Sequence, residues 1–161
     1  MPAVVAAGYA ADKRRWLDSY VRRLAGSDIR LPCPSLFFDG TFLSPLSAGI
    51  AGAFAAPLEM VRLGPSASNR QPWRIIKDGS RWHFYMQRTA GYAERNRTFL
   101  KLADLQRVDM GIAMCHFELA VQETGLSGEW TYSEQNIEKP NCLTEYIITW
   151  QHKDLGFKPR A

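Results

Sequence analysis

Cysteine is scarce in this chain of 161 residues, with Cys33, Cys115 and Cys142 the only three. An odd number at unrelated spacings, with no Cys-x-x-Cys and no paired histidines, supports neither a disulfide scaffold nor a zinc site. Long apolar runs are missing as well. The best stretch, Leu46 to Leu58, is interrupted by glycines and a proline and falls short of the roughly eighteen residues that a membrane helix needs. Met1 to Ala10 is apolar and small but has no positively charged leader, so it reads as a strand rather than a signal peptide, and the expected location is the cytoplasm. No internal repeat is visible.

The excess of positive charge is mild, a net +4 with an isoelectric point near 9.1. Arginines cluster between residues 12 and 24 and again from Arg88 to Arg97, which makes a small basic protein for an anionic partner, such as nucleic acid, the competing function class. Against nucleic acid, no recognised module appears, and aromatic residues are not interleaved with the basic ones as a single-strand platform requires. The remaining composition, 46% apolar and 22% charged, is that of one soluble globular domain. A chain of this length buries roughly two thirds of its unfolded surface.

Periodicity supplies a coarse map. Asp12 to Leu24 predicts a helix with Trp16, Leu17, Tyr20, Val21 and Leu24 on one stripe and basic residues on its flanks. Leu31 to Pro45, with its prolines and a glycine, predicts an irregular arm whose Leu36, Phe37, Phe38 and Phe42 need cover. A helix is expected from about Pro45 to Leu63, stopped by Gly64 and Pro65. Trp73 to Lys77 and Arg81 to Gln87 form a hairpin across Asp78-Gly79-Ser80, because the turn chemistry is right and both arms are rich in β-formers. Arg88 to Ala103 is poorly patterned. Leu105, Val108, Ile112, Cys115 and Leu119 recur at helical spacing in surroundings that are themselves apolar, so this helix is expected to be buried, with Cys115 a small core residue. Gly111 inside it costs about 1 kcal/mol relative to alanine, which implies close approach of another element. His116, a lone helical histidine, is read as a hydrogen-bonded structural residue without a catalytic role. Strands near Trp130 to Tyr132 and from Glu145 to Trp150 complete an α+β pattern.

The run Gly64-Pro65-Ser66-Ala67-Ser68-Asn69-Arg70-Gln71-Pro72-Trp73 carries the most information. It joins a helix stop, a small polar loop and a strand start. Ser66, Ala67 and Ser68 have no bulk, so their backbone can approach a ring face closely, while Asn69 and Gln71 each offer a donor and an acceptor. Pro72 suits a strand's first residue. Taken alone, such a loop is equally a well-built helix-to-strand connection with Trp73 buried.

The order Pro-Ser-x-x-Asn-x-Gln-Pro-Trp resembles the signature loop of the FMN-dependent nitroreductase family, which covers the flavin isoalloxazine from the neighbouring subunit. A second block, Asp109-Met110-Gly111-Ile112-Ala113 through His116, Phe117, Glu118 and Ala120 to Glu123-Thr124-Gly125-Leu126, is similar to that family's central helix. The resemblance is to the branch in which two family halves are fused in one chain. Val4-Val5-Ala6-Ala7-Gly8-Tyr9 and Arg30-Leu31-Pro32 look like the end of its first half, so the likeness runs from Val4 to about Trp150.

What the resemblance implies is specific. The fold would be an incomplete nitroreductase-like one, a central buried helix packed on an antiparallel or mixed sheet. Residues 1–44 would be a tail strand, basic helix and arm from a missing first half, 45–152 the half-domain, and 153–161 a C-terminal tail. FMN would be the cofactor and NAD(P)H the co-substrate, with a small-molecule electron acceptor of the nitroaromatic or quinone kind. Pro65, Ser66, Ala67, Ser68 and Asn69 would cover the isoalloxazine, Gln71 would support the loop, and Arg30 would pair with the FMN phosphate, a task suited to a planar cation. No residue is assigned to proton transfer or to a metal. The family's Arg-Arg-Ser-x-Arg signature, which supplies most of the phosphate grip, has no counterpart here. The implied partner is therefore a complementary half-domain or a second copy, and without one the chain would be a truncated, inactive structural remnant.

Overall fold

The computed structural model describes Tyr20, Arg23, residues 26–92 and residues 103–153. The expected strand over 4–9, most of the helix over 12–24 and nearly all of the C-terminal tail lie outside them. Tyr20, placed by periodicity on the apolar stripe of that helix, is exposed.

The described residues form a five-stranded mixed sheet with helices on one face. In chain order its elements are β1 (Phe37–Asp39), α1 (Ala48–Ala51), α2 (Ala55–Leu63), β2 (Trp73–Asp78), β3 (Arg81–Gln87), α3 (Leu105–Glu123), β4 (Gly128–Thr131) and β5 (Thr144–His152). The strand order is β1-β2-β3-β5-β4, with β1 parallel to β2 and every other pair antiparallel. The α+β expectation therefore holds, as does the mixed sheet.

The hairpin forms where the turn residues placed it, β2 running one residue further to Asp78 and Gly79 adopting φ +57°. Its arms alternate as strands must. Trp73, Ile75, Trp82, Phe84 and Met86 face the helices, while Ile76 and Tyr85 join Tyr146 on the opposite face under Phe38, Phe42 and Ile137. A bulge opposite Phe84 and Tyr85 leaves Ile147 without a partner in the ladder, so Ile147 and Ile148 both pack against the helix-side core. At the start of β4 only glycine fits, because a Cβ on Gly128 would stand 2.2 Å from the Trp150 ring.

Four expectations need correction. The arm over 31–45 is not irregular throughout: after a 3-10 turn at Cys33–Ser35, Phe37–Asp39 pairs with Ile75, Ile76 and Lys77. The prolines stand outside those three residues, so they remove no ladder bond. This covers Phe37, which is 2% exposed, and leaves Phe38 half-buried against Phe42, so neither needs a partner's surface. The helix over 45–63 is broken at Gly52, whose φ of +53° no helix accommodates; it consists of α1, capped by Ser47, a 3-10 turn at Gly52–Phe54, and α2.

The other two corrections concern α3. Its bounds agree with the sequence pattern, and the Asp104 side chain caps its N-terminus. The face does not agree. Gln106, Asp109, Met110, Ala113, Phe117 and Val121 are buried, whereas Val108 and Leu119 are more than half exposed and Cys115 is also outside the core. Gly111 has nothing within 4 Å of where a Cβ would stand, so the close approach its presence implied is not made within this chain.

Candidate functional site

Loop 64–72 leaves α2 and enters β2. Gly64 is needed there for space rather than for its dihedral: its φ is −53°, and a Cβ would lie 3.0 Å from the Val61 carbonyl. The left-handed conformations fall instead on Ser68, Asn69 and Gln71, with φ of 50°, 52° and 47°. Such non-glycine outliers cost on the order of 1 kcal/mol or more each and persist only where surrounding bonds over-determine them.

Those bonds are present. Ser66 Oγ accepts from Gln71 N at 2.8 Å and closes the loop on itself. Asn69 Nδ2 donates to the carbonyls of Gly26 and Ile29, at 2.6 and 2.8 Å. Gln71, 3% exposed, accepts from Leu31 N through Oε1 and donates to Ile29 O and Asn69 Oδ1 through Nε2. The two amides thus tie segment 26–31 to the loop, and their polar groups point inward. The outward surface is made by Pro65 and Ser68, both exposed, with Ser66 and Ala67 half-buried between them.

The tie brings Arg30 to the loop. Its Nη1 donates to Ser27 O at 2.7 Å and to Asn69 Oδ1 at 3.3 Å, and its Nε to Leu63 O. No carboxylate of the described residues lies within ion-pair reach of it, and its Nη2 donates to none of them. A guanidinium held by neutral carbonyls keeps its charge for an anion. That is the fit which an FMN phosphate requires, and the small outward residues of the loop fit one face of a flat ring.

Two residues that sequence reasoning did not single out complete the neighbourhood. Asp109, 3% exposed on α3, accepts from Ala67 N through Oδ1 at 2.9 Å, while its buried Oδ2 has no partner among the described residues. Burial pushes its carboxyl up to about 6; the Ala67 bond opposes this and the charge of Asp104 adds to it. An aspartate at a helical position facing a core was the available signal, obscured because the apolar stripe had been assigned to another face. Tyr92, 7% exposed, places its hydroxyl 3.2 Å from Ser68 Oγ and its ring under the Arg70 guanidinium. It lies where the sequence shows no pattern.

The start of α3 is anchored by a four-membered ion network. Arg88, on the segment after β3, bonds Asp104 and Glu145 at 2.9 Å each, and Arg107 also reaches Glu145. Gln106 holds Thr89 through its side-chain amide. Asp109 and Tyr92 are both positioned by these contacts. His116 is half-buried two turns along α3 from Asp109, its ring beside Gly64, and lines, with Ala56, Met60, Cys115, Leu119 and Ala120, an apolar groove of about 440 Å³ between α2 and α3.

Residues 44–121 match the family model described as "Putative TM nitroreductase", so the resemblance first carried by the loop is shown over the stretch that holds α1, α2, the loop, the hairpin and most of α3. No curated protein and no solved structure matches the chain. Among the described residues no helix is long and apolar enough to cross a membrane.

Proposed function

We propose, with that family match as premise, that the chain is part of a nitroreductase-type flavin oxidoreductase with a nitroreductase-like fold, and that loop 64–72 is one wall of its FMN site. The observation that carries this reading is the loop itself, held in three left-handed non-glycine conformations beside an arginine that has no carboxylate partner among the described residues. Pro65, Ser66, Ala67 and Ser68 would lie against the isoalloxazine, with Asn69 and Gln71 fixing the backbone behind them, and Arg30 would hold the phosphate. When bound, the flavin supplies the redox chemistry, passing hydride equivalents from NAD(P)H to a nitroaromatic or quinone-like acceptor. The protein's part is to orient the ring and exclude water.

The site needs a second surface. The exposed side of α3 carries Val108, Cys115 and Leu119 around the bare Gly111, and Met60 and Leu63 of α2 continue it. An apolar patch of this kind, continuous with the α2–α3 groove, favours association with a second copy or a complementary half-domain.

Arg30 provides the direct test. Arg30→Ala is expected to weaken FMN more than riboflavin, which lacks the phosphate, by about 1.5–3 kcal/mol for a charge-assisted bond. Equal losses for the two flavins would assign Arg30 to holding segment 26–31 alone.

A further inference from the structure

Asp109 stands behind the loop with half of its hydrogen-bonding capacity unused. Its Oδ1 takes the Ala67 N–H, and its Oδ2, buried, faces neither a cation nor a donor among the described residues. A carboxylate oxygen without a partner is costly to keep from water, whereas a carboxylic acid in the same place carries no charge to solvate. We infer that Asp109 is a positioning residue that makes closure of loop 64–72 proton-dependent: the loop lies down over the protonated carboxyl and lifts to admit water when the proton leaves. This rests on the proposed function only for what the loop is closed upon.

Among the described residues, the surrounding charges leave the proton as the main control. On its own helix Asp109 feels Asp104, whose charge opposes ionisation. Arg107 and Arg88 are engaged with Asp104 and Glu145. From the loop side Arg70 lies over the Tyr92 ring and Arg30 donates to carbonyls and Asn69. Glu59 and Arg62 of α2 pair with each other. None of these side chains donates to Asp109.

The sign follows from which state burial disfavours. The carboxyl is raised from 3.8 to about 6 in the closed fold, burial outweighing the Ala67 bond. Lifting the loop restores hydration and returns the group toward its ordinary value. Closure is therefore tightest below 3.8, weakens as pH rises between that value and about 6, and is weakest above. Asp109's own contribution to the stability of the fold has the same sign.

Amide hydrogen exchange of the 64–72 segment, corrected for the intrinsic pH dependence of exchange, reads this without any flavin. In the parent, protection at Ala67 N–H is expected to fall by about ten- to a hundredfold from the acid to the alkaline side of this window. Asp109→Asn, which keeps the acceptor and cannot ionise, should hold protection at one level across the window. Asp109→Ala, which loses the acceptor, should leave the loop weakly protected at every pH. Flat protection in the parent, or a parent-like slope in Asp109→Asn, would overturn the inference. Failure of FMN to bind would instead count against the flavin reading and leave this one standing.

Discussion

Phe117→Ala is expected to destabilise the fold by about 3–5 kcal/mol, read as a fall in the urea midpoint at unchanged slope. Phe117 is fully buried on α3 and meets Phe84 at 5.3 Å and Trp150 at 5.4 Å between ring centroids, with Phe54, Trp82 and Trp130 close behind. These rings come from the 3-10 turn before α2 and from β3, β4 and β5, so a cavity here loosens the joint between helix and sheet. Trp150 is fixed as well by the bond from its Nε1 to Glu118 of the same helix. The comparison variant is Leu119→Ala, two residues away and 57% exposed, expected to stay within about 0.5 kcal/mol in the isolated chain. A large loss at Leu119 with a small one at Phe117 would mean that α3 faces the other way.

The second large effect concerns the loop. The double variant Ser66→Leu with Asn69→Leu is expected to reduce FMN affinity by at least about a hundredfold, with bulk where the ring should approach and the loop's own bonds removed. Ser66 Oγ would no longer accept from Gln71 N, and Asn69 would no longer hold the carbonyls of Gly26 and Ile29. Segment 26–31 and Arg30 should loosen together. The helix–sheet core is built from other residues, so far-ultraviolet dichroism should be preserved. FMN binding as tight as the parent's would show that the loop does not touch the cofactor.

How far the sequence reaches can be judged from these same residues. The hairpin was legible because Asp78-Gly79-Ser80 specifies a turn by local chemistry and the flanking residues are β-formers. The loop stands out in the sequence by its distinctive order and Arg30 by its Arg-Leu-Pro context; the structure brings Arg30 within 3.3 Å of Asn69. The face of α3 was not legible. That helix is apolar on more than one side, and the regular stripe through Val108, Cys115 and Leu119 concealed a buried face that includes Gln106 and Asp109. Buried polar residues count against a core when read by pattern alone, and only tertiary partners, Thr89 and Ala67 here, make them acceptable. Strand β1 was missed for a related reason: three residues among prolines carry no periodicity, and their pairing with Ile75, Ile76 and Lys77 is set by the sheet.

Under the proposed function, the exposed side of α3 is the place for the second surface. A stripe regular enough to suggest a core, yet left outside it, is what an interface looks like in the sequence of one partner. The central claim is that loop 64–72 is one wall of a flavin site which a second surface completes. Its most direct test is titration of the purified chain with FMN, followed by flavin fluorescence, with the mass of the flavin-bearing species taken by light scattering. The account predicts that flavin is retained only by a species heavier than the 18.2 kDa monomer, either two copies or the chain with a complementary half-domain. Tight FMN binding by a monodisperse monomer, or a protein that stays colourless in every assembly state, would contradict it.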